Sequence, residues 1–125
     1  MSKRILVIED QEDNRQILRD LLTSVDFEVI EAENGERGLA AAAAHRPDLI
    51  LMDIQLPILD GYEATRRLKA DAVLHTIPVI AVTSYASSSD VDKARAAGCD
   101  AFVSKPYSPR QLLAKVREYL FSSTR

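Results

Sequence analysis

Five short apolar runs alternate along this chain with five longer amphipathic segments, and that alternation limits the available folds more than any other feature. The runs Arg4–Glu9, Glu28–Ala32, Leu49–Asp53, Val79–Thr83 and Ala101–Ser104 have the character of parallel strands covered on both faces. Between them the spacing predicts helices over Asp13–Ser24, Gly35–His45, Gly61–Ala70, Ser88–Ala97 and Pro109–Phe121, the first with Ile17, Leu18, Leu21 and Leu22 on one face. Ser108 and Pro109 read as the cap and first-turn residue of the last helix, and Gly98 as the left-handed residue that ends the one before it. Strict alternation predicts an α/β fold, a doubly wound parallel sheet of five strands with right-handed crossovers. Ligands of such sheets sit beyond the carboxyl ends of the strands.

Acids stand at two of those ends. Asp53 closes the run Leu49-Ile50-Leu51-Met52, and Glu9 and Asp10 close Ile5-Leu6-Val7-Ile8. Two such strands side by side would gather three carboxylates, whose mutual repulsion calls for a proton or a cation, so the triad points to a divalent metal with oxygen ligands. Two further strand ends are polar: Thr83 supplies a hydroxyl, and Lys105, followed by Pro106, a cation. A carboxylate nucleophile, metal-holding acids, a hydroxyl donor and an ammonium suit a phosphoryl group, and Asp is able to form an acyl phosphate.

Composition narrows the alternatives. At 125 residues the chain reads as a single domain spanning 1–125, with no Pro-, Gly- or Ser-rich linker and no repeat. Only Ser122–Arg125 follow the last helix, which leaves no room for an output domain. The 16 Lys and Arg against 19 Asp and Glu give a net charge of −3 without a basic block, which argues against nucleic-acid binding. The single cysteine, Cys99, makes no internal disulfide and reads as a small buried hydrophobe. No signal segment and no membrane-length apolar run are visible, so the expected location is the cytoplasm. Ala40–Ala44 is helix-forming sequence to which no function is assigned.

The pieces Val7-Ile8-Glu9-Asp10, Leu51-Met52-Asp53-Ile54-Gln55-Leu56-Pro57 with Asp60-Gly61, Ala81-Val82-Thr83-Ser84 and Ser104-Lys105-Pro106 resemble, in that order, the motifs of response regulator receiver domains. The resemblance covers essentially the whole chain. It implies the flavodoxin-like (βα)5 fold with strand order 2-1-3-4-5, as in the family's chemotaxis member. It further implies that Asp53 accepts a phosphoryl group from a histidine kinase or histidine phosphotransfer protein, and that Mg2+ is held by Glu9, Asp10, Asp53 and the main-chain carbonyl of Gln55. By the same resemblance Thr83 hydrogen-bonds the phosphoryl group, Lys105 pairs with it, the Lys105–Pro106 bond is cis, and Phe102 is the aromatic that turns inward when Thr83 moves. Leu49–Pro57 is similar to the DivK-like single-domain regulators of alphaproteobacteria and to receivers inside hybrid kinases; the chain is either a stand-alone protein or such a fragment.

Such a domain is a phosphoacceptor with self-directed chemistry rather than an enzyme. Its output is binding to an effector protein or kinase, with no membrane contact, and a monomer is the expected state although dimerisation is left open. The implied readout face carries Tyr85, Asp90, Lys93, Arg95, Tyr107, Arg110 and Lys115. The helix Asp13–Ser24, with Arg15 and Arg19 exposed, is the implied docking element for a kinase. Ser84 after Thr83 is expected to be tolerated, whereas the bulky Tyr85 and the side chain of Gln55 are expected to shade the attacking water and lengthen the phosphorylated state.

Taken singly, each residue has an ordinary alternative. Asp10 serves as a helix cap, Lys105 as a solvated surface cation, Thr83 as a strand-end cap and Phe102 as core packing. His45 and His75 read as surface residues near helix ends. An aspartate-nucleophile phosphatase would place a second acid where Gln55 stands. A flavodoxin-like electron carrier would not have Glu9-Asp10-Gln11-Glu12-Asp13 facing a phosphate monoester. An interaction module that keeps the fold without being phosphorylated remains the third alternative.

Overall fold

The hydrophobic pattern is realised as two apolar layers, one on each face of a single sheet. The computed structural model describes residues 2–84 and 87–121. Strands β1 (Arg4–Ile8), β2 (Glu28–Ala32), β3 (Leu49–Asp53), β4 (Val79–Thr83) and β5 (Ala101–Ser104) alternate with helices α1 (Glu12–Thr23), α2 (Gly35–His45), α3 (Gly61–Ala70), α4 (Ser88–Ala97) and α5 (Pro109–Leu120). All four strand pairings are parallel and the order is β2-β1-β3-β4-β5. The topology is the flavodoxin-like one.

Because successive side chains of a strand point to opposite faces, each central strand contributes to both layers. Ile5, Val7, Leu49, Leu51, Ile80 and Val82 meet Leu18 and Leu22 of α1 and Leu112 and Val116 of α5. Leu6, Ile8, Ile50, Met52 and Val79 meet Ala42 of α2 and Ala64 and Leu68 of α3. The alanine run of α2 allows this close approach, with Ala42 fully buried. One expectation for α1 is corrected. Ile17 is 57% exposed, since only Leu18 and Leu22 of that helix are fully covered by the sheet.

Element ends follow local chemistry. Ser87 and Asp90 form a reciprocal capping box at α4, and Ser108 accepts from the Gln111 N–H at α5 behind Pro109. Gly98 ends α4 in the left-handed region at φ 107°. The first strand stops at Ile8 rather than Glu9, α1 runs one residue earlier than predicted at each end, and α5 stops at Leu120. At the start of α1 the capping position is Gln11, whose side chain makes no cap hydrogen bond, so Asp10 does not cap this helix.

The register sets β1 and β3 directly side by side, with Ile8 opposite Met52, and β3 beside β4, with Asp53 opposite Val82. The residues following β1 and closing β3 and β4 therefore share one edge of the sheet. That edge is held close to α3 by Gly61, where an added Cβ would lie 2.5 Å from the Asp53 carbonyl oxygen and 2.7 Å from the Ile54 Cα. Both obstacles are backbone and cannot swing aside. Gly61→Ala is therefore expected to lower unfolding stability by about 1–3 kcal/mol, read as an earlier urea midpoint at unchanged slope; an unchanged midpoint would contradict the close approach.

Candidate functional site

Three carboxylates meet where β1 and β3 end. Glu9 follows β1, Asp10 follows Glu9 and Asp53 closes β3, and ligand oxygens of the three lie within 4.8 Å of one another. Glu9 is 2% exposed and Asp53 8%, whereas Asp10 is open to solvent. Two unit charges at such a distance repel by roughly 3 kcal/mol at an effective dielectric of about 20. The fold assembles this cluster against electrostatics.

Lys105, just beyond β5, supplies the countercharge. Its Nζ donates to Glu9 Oε1 at 3.0 Å and stands 3.6 Å from Asp53 Oδ2. Two backbone N–H groups add to it: Gln11 donates to Glu9 Oε2 and Gln55 to Asp53 Oδ1, each at 3.1 Å. These contacts divide the cluster unevenly. Burial opposes the charge of Glu9, yet the Gln11 N–H and the Lys105 ammonium hold its carboxyl below the ordinary range. Burial, reinforced by the neighbouring Glu9 charge, pushes Asp53 up to about 6 against the pull of Lys105. Partial burial and the same Glu9 charge raise Asp10. Burial disfavours the Lys105 ammonium, but its bond to Glu9 and the Asp53 charge outweigh this and raise it.

One ammonium does not neutralise three carboxylates. The donor set is wholly oxygen, adjacent and short of positive charge, which fits a small hard dication such as Mg2+. Glu9, Asp10 and Asp53 could hold it.

The remaining strand ends flank this centre. Thr83 closes β4 at 1% exposure, and its carbonyl accepts the Lys105 N–H at 2.8 Å. The Lys105–Pro106 bond is cis. A cavity of about 490 Å³ opens over the carboxylates, lined by Glu9, Asp10, Gln11, Asn14, Asp53, Gln55, Ser84 and Lys105. Gln11 and Asn14 were not singled out in the sequence; their place on the turn into α1 and on its first turn, facing the strand ends, is the signal that would have found them. Lys105 is not a freely solvated cation but a half-buried, ion-paired one.

Phe102 lies mid-strand in β5, half-buried, against the cluster of Ile54, Ala81 and Ala94, so in this state it packs. Tyr85 lies outside the described residues. On the implied readout face Lys93, Arg95 and Arg110 are exposed, while Asp90, Tyr107 and Lys115 are half-buried. Arg19 is part-exposed, but Arg15 is not the exposed residue expected: its side chain is 13% accessible and is drawn inward by Glu12, Glu31 and the Glu9 carbonyl. Cys99 is half-buried with its Sγ 3.7 Å from Thr65 Oγ1. His45 and His75 are exposed. Among the described residues no helix is long and apolar enough to cross a membrane.

Comparison with known proteins agrees with this architecture. The family model of the response regulator receiver domain matches residues 5–117. The polar-differentiation response regulator DivK of Brucella anthropi is 45% identical over 120 residues, covering 96% of this chain and 98% of that protein. The receiver domain of a signal transduction histidine kinase from Syntrophus aciditrophicus superposes with a TM-score of 0.92 at 31% identity, over 99% of this chain and 94% of that one. The receiver domain of sensor histidine kinase PA1611 from Pseudomonas aeruginosa PAO1, solved with a magnesium ion coordinated in its active-site cleft, matches at 0.90 and 31%, over 96% of this chain and 98% of that one. With the fold, the acidic strand ends and the sequence in agreement, the chain belongs to the response regulator receiver family of two-component signalling.

Proposed function

We propose that this protein is a DivK-like response regulator whose Asp53 accepts a phosphoryl group from a histidine kinase or histidine phosphotransfer protein. The observation that carries this reading is the buried carboxylate of Asp53, set beside two other acids and within 3.6 Å of an ammonium, at the floor of an open cavity. An Asp53 oxygen attacks phosphorus, the bond from phosphorus to the donor's histidine nitrogen breaks, and the freed imidazole takes up a proton as an acyl phosphate forms on Asp53. Hydrolysis reverses the logic: water attacks the same phosphorus, and inorganic phosphate leaves the Asp53 carboxylate.

Each neighbour has a task in that exchange. Glu9, Asp10, Asp53 and the Gln55 carbonyl would hold Mg2+, which when bound supplies positive charge to the phosphoryl oxygens. Lys105, now occupied mainly with Glu9, exchanges part of that bond for a phosphoryl oxygen, and the Thr83 hydroxyl donates to another. Their movement, followed by Phe102, alters the surface of α4, β5 and α5, where Lys93, Arg95 and Arg110 are exposed. The output is protein–protein binding to an effector or kinase, in the cytoplasm, without catalysis of any other substrate. On the donor side, α1 presents Ile17 at 57% exposure, an apolar contact suited to the helical bundle of a kinase.

The 45% identity to DivK over 120 residues supports the DivK-like reading. The close match to receivers of histidine kinases supports the second reading, a receiver belonging to a hybrid kinase.

Incubation with acetyl phosphate and magnesium is expected to add one phosphoryl group by intact mass, lost in Asp53→Asn and in chelator. No gain from acetyl phosphate or from a kinase donor would leave an unphosphorylated interaction module instead. Lys105→Ala removes both the countercharge and a phosphoryl contact, and is expected to slow phosphorylation at least roughly tenfold in the same mass time course; a parental rate would contradict the role given to Lys105.

A further inference from the structure

Arg15 is the one cation of α1 that reaches the metal centre's own backbone. Its Nη1 donates to the Glu9 main-chain oxygen at 2.7 Å. The rest of its guanidinium is fixed by two acids, Glu12 through Nη2 and Glu31, at the end of β2, through Nε at 3.3 Å. Arg19 pairs with the same two acids, at 3.7 Å to Glu12 and 2.8 Å to Glu31. The result is a closed ring of two arginines and two glutamates joining α1 to β2. Only Arg15 extends it to Glu9.

The turn between β1 and α1 needs such a tie. The helix begins behind Gln11 without a side-chain cap, so the usual lock on a strand-to-helix turn is missing. Within that turn lies Asp10, solvent-open yet with a carboxylate oxygen within 4.8 Å of those of Glu9 and Asp53, whose charges repel it. The contact from Arg15 to the Glu9 carbonyl fixes one end of the Glu9–Asp10 peptide. Its planar fork, gripped on three sides, gives the contact direction as well as strength.

We propose that Arg15 is a positioning residue for the metal centre, holding the Glu9–Asp10 peptide so that the Asp10 carboxylate faces those of Glu9 and Asp53. The proposal rests on the reading of these three acids as the magnesium ligands. Arg15 touches neither ion nor phosphoryl group; it acts through the Glu9 carbonyl. This role and a mere charge effect carry opposite signs. Deleting a cation near an anionic site strengthens binding of a dication through Coulomb's law, whereas releasing the peptide that carries a ligand weakens it.

The test is a titration with magnesium chloride, free of phosphodonor, on the parent, Arg15→Met, Arg15→Lys and Arg19→Met. Arg15→Met is expected to weaken magnesium binding by roughly tenfold, as changes to groups supporting a metal ligand commonly do. Arg15→Lys keeps the charge but not the three-way fork and is expected to weaken it several-fold. Arg19→Met breaks the same ring without touching Glu9 and should stay within about twofold of the parent. In chelator, amide hydrogen exchange at Gln11 should accelerate in Arg15→Met and not in Arg19→Met, a readout independent of any metal. Magnesium binding in Arg15→Met that equals or exceeds the parent's would overturn the proposal, as would equal losses in Arg15→Met and Arg19→Met. A parent that binds no magnesium would overturn the ligand reading itself and this proposal with it.

Discussion

Crowding of Glu9, Asp10 and Asp53 at one edge of the sheet is the constraint from which the rest of the site follows. Three carboxylates with oxygens within 4.8 Å of one another would separate in a flexible chain. Here Glu9 and Asp53 are fixed at the ends of neighbouring strands whose side chains fill two apolar layers, with Asp10 in the turn that follows, and separating Glu9 from Asp53 would require those strands to part. Burial of the sheet therefore supplies the free energy that holds the charges together. Lys105 offsets part of the repulsion, chiefly at Glu9, and leaves Asp53 as the acid most in need of a further cation. A site left in that condition has the charge and the oxygen donors that suit a dication.

The fold was largely legible from periodicity because the strands are short, fully apolar and closed by polar residues. β2, β3, β4 and β5 begin and end where expected, since Gly, Pro, Asp and Ser punctuate the segments between them. The errors are physical rather than random. Ile17 fits the helical spacing of α1, yet a sheet covers only a narrow stripe of a helix, and Leu18 and Leu22 occupy it. Arg15 has the sequence signature of an exposed cation, but three acceptors brought together by β1, α1 and β2 draw it inward. No local pattern contains that information, because Glu31 becomes its neighbour only through the pairing of β1 with β2.

The candidate site was legible to a similar depth. That Glu9, Asp10 and Asp53 would meet followed from their positions at strand ends, and so did the presence of Thr83 and Lys105 at the same edge. What the sequence could not assign was which acid Lys105 would choose. Its Nζ donates to Glu9 at 3.0 Å and stands at 3.6 Å from Asp53, a preference set by three-dimensional placement and not by any local pattern. Gln11 and Asn14 escaped for a related reason: a cavity wall is built from residues on a turn and a helix that carry no acid or base to draw notice.

The most direct test of this account is the melting temperature of the protein and of Asp53→Asn in chelator across pH. With the folded-state carboxyl of Asp53 raised to about 6, above its ordinary value, its proton is bound more tightly in the fold than in the unfolded chain. The stability linked to it is therefore complete below the ordinary carboxylate range and is lost as pH rises through about 6, by on the order of 3 kcal/mol. At about pH 8 Asp53→Asn should melt several degrees above the parent, with the gap closing towards about pH 4. A variant no more stable than the parent at about pH 8 would show that the carboxylates are not in electrostatic conflict, and the account of the site would fail at its foundation.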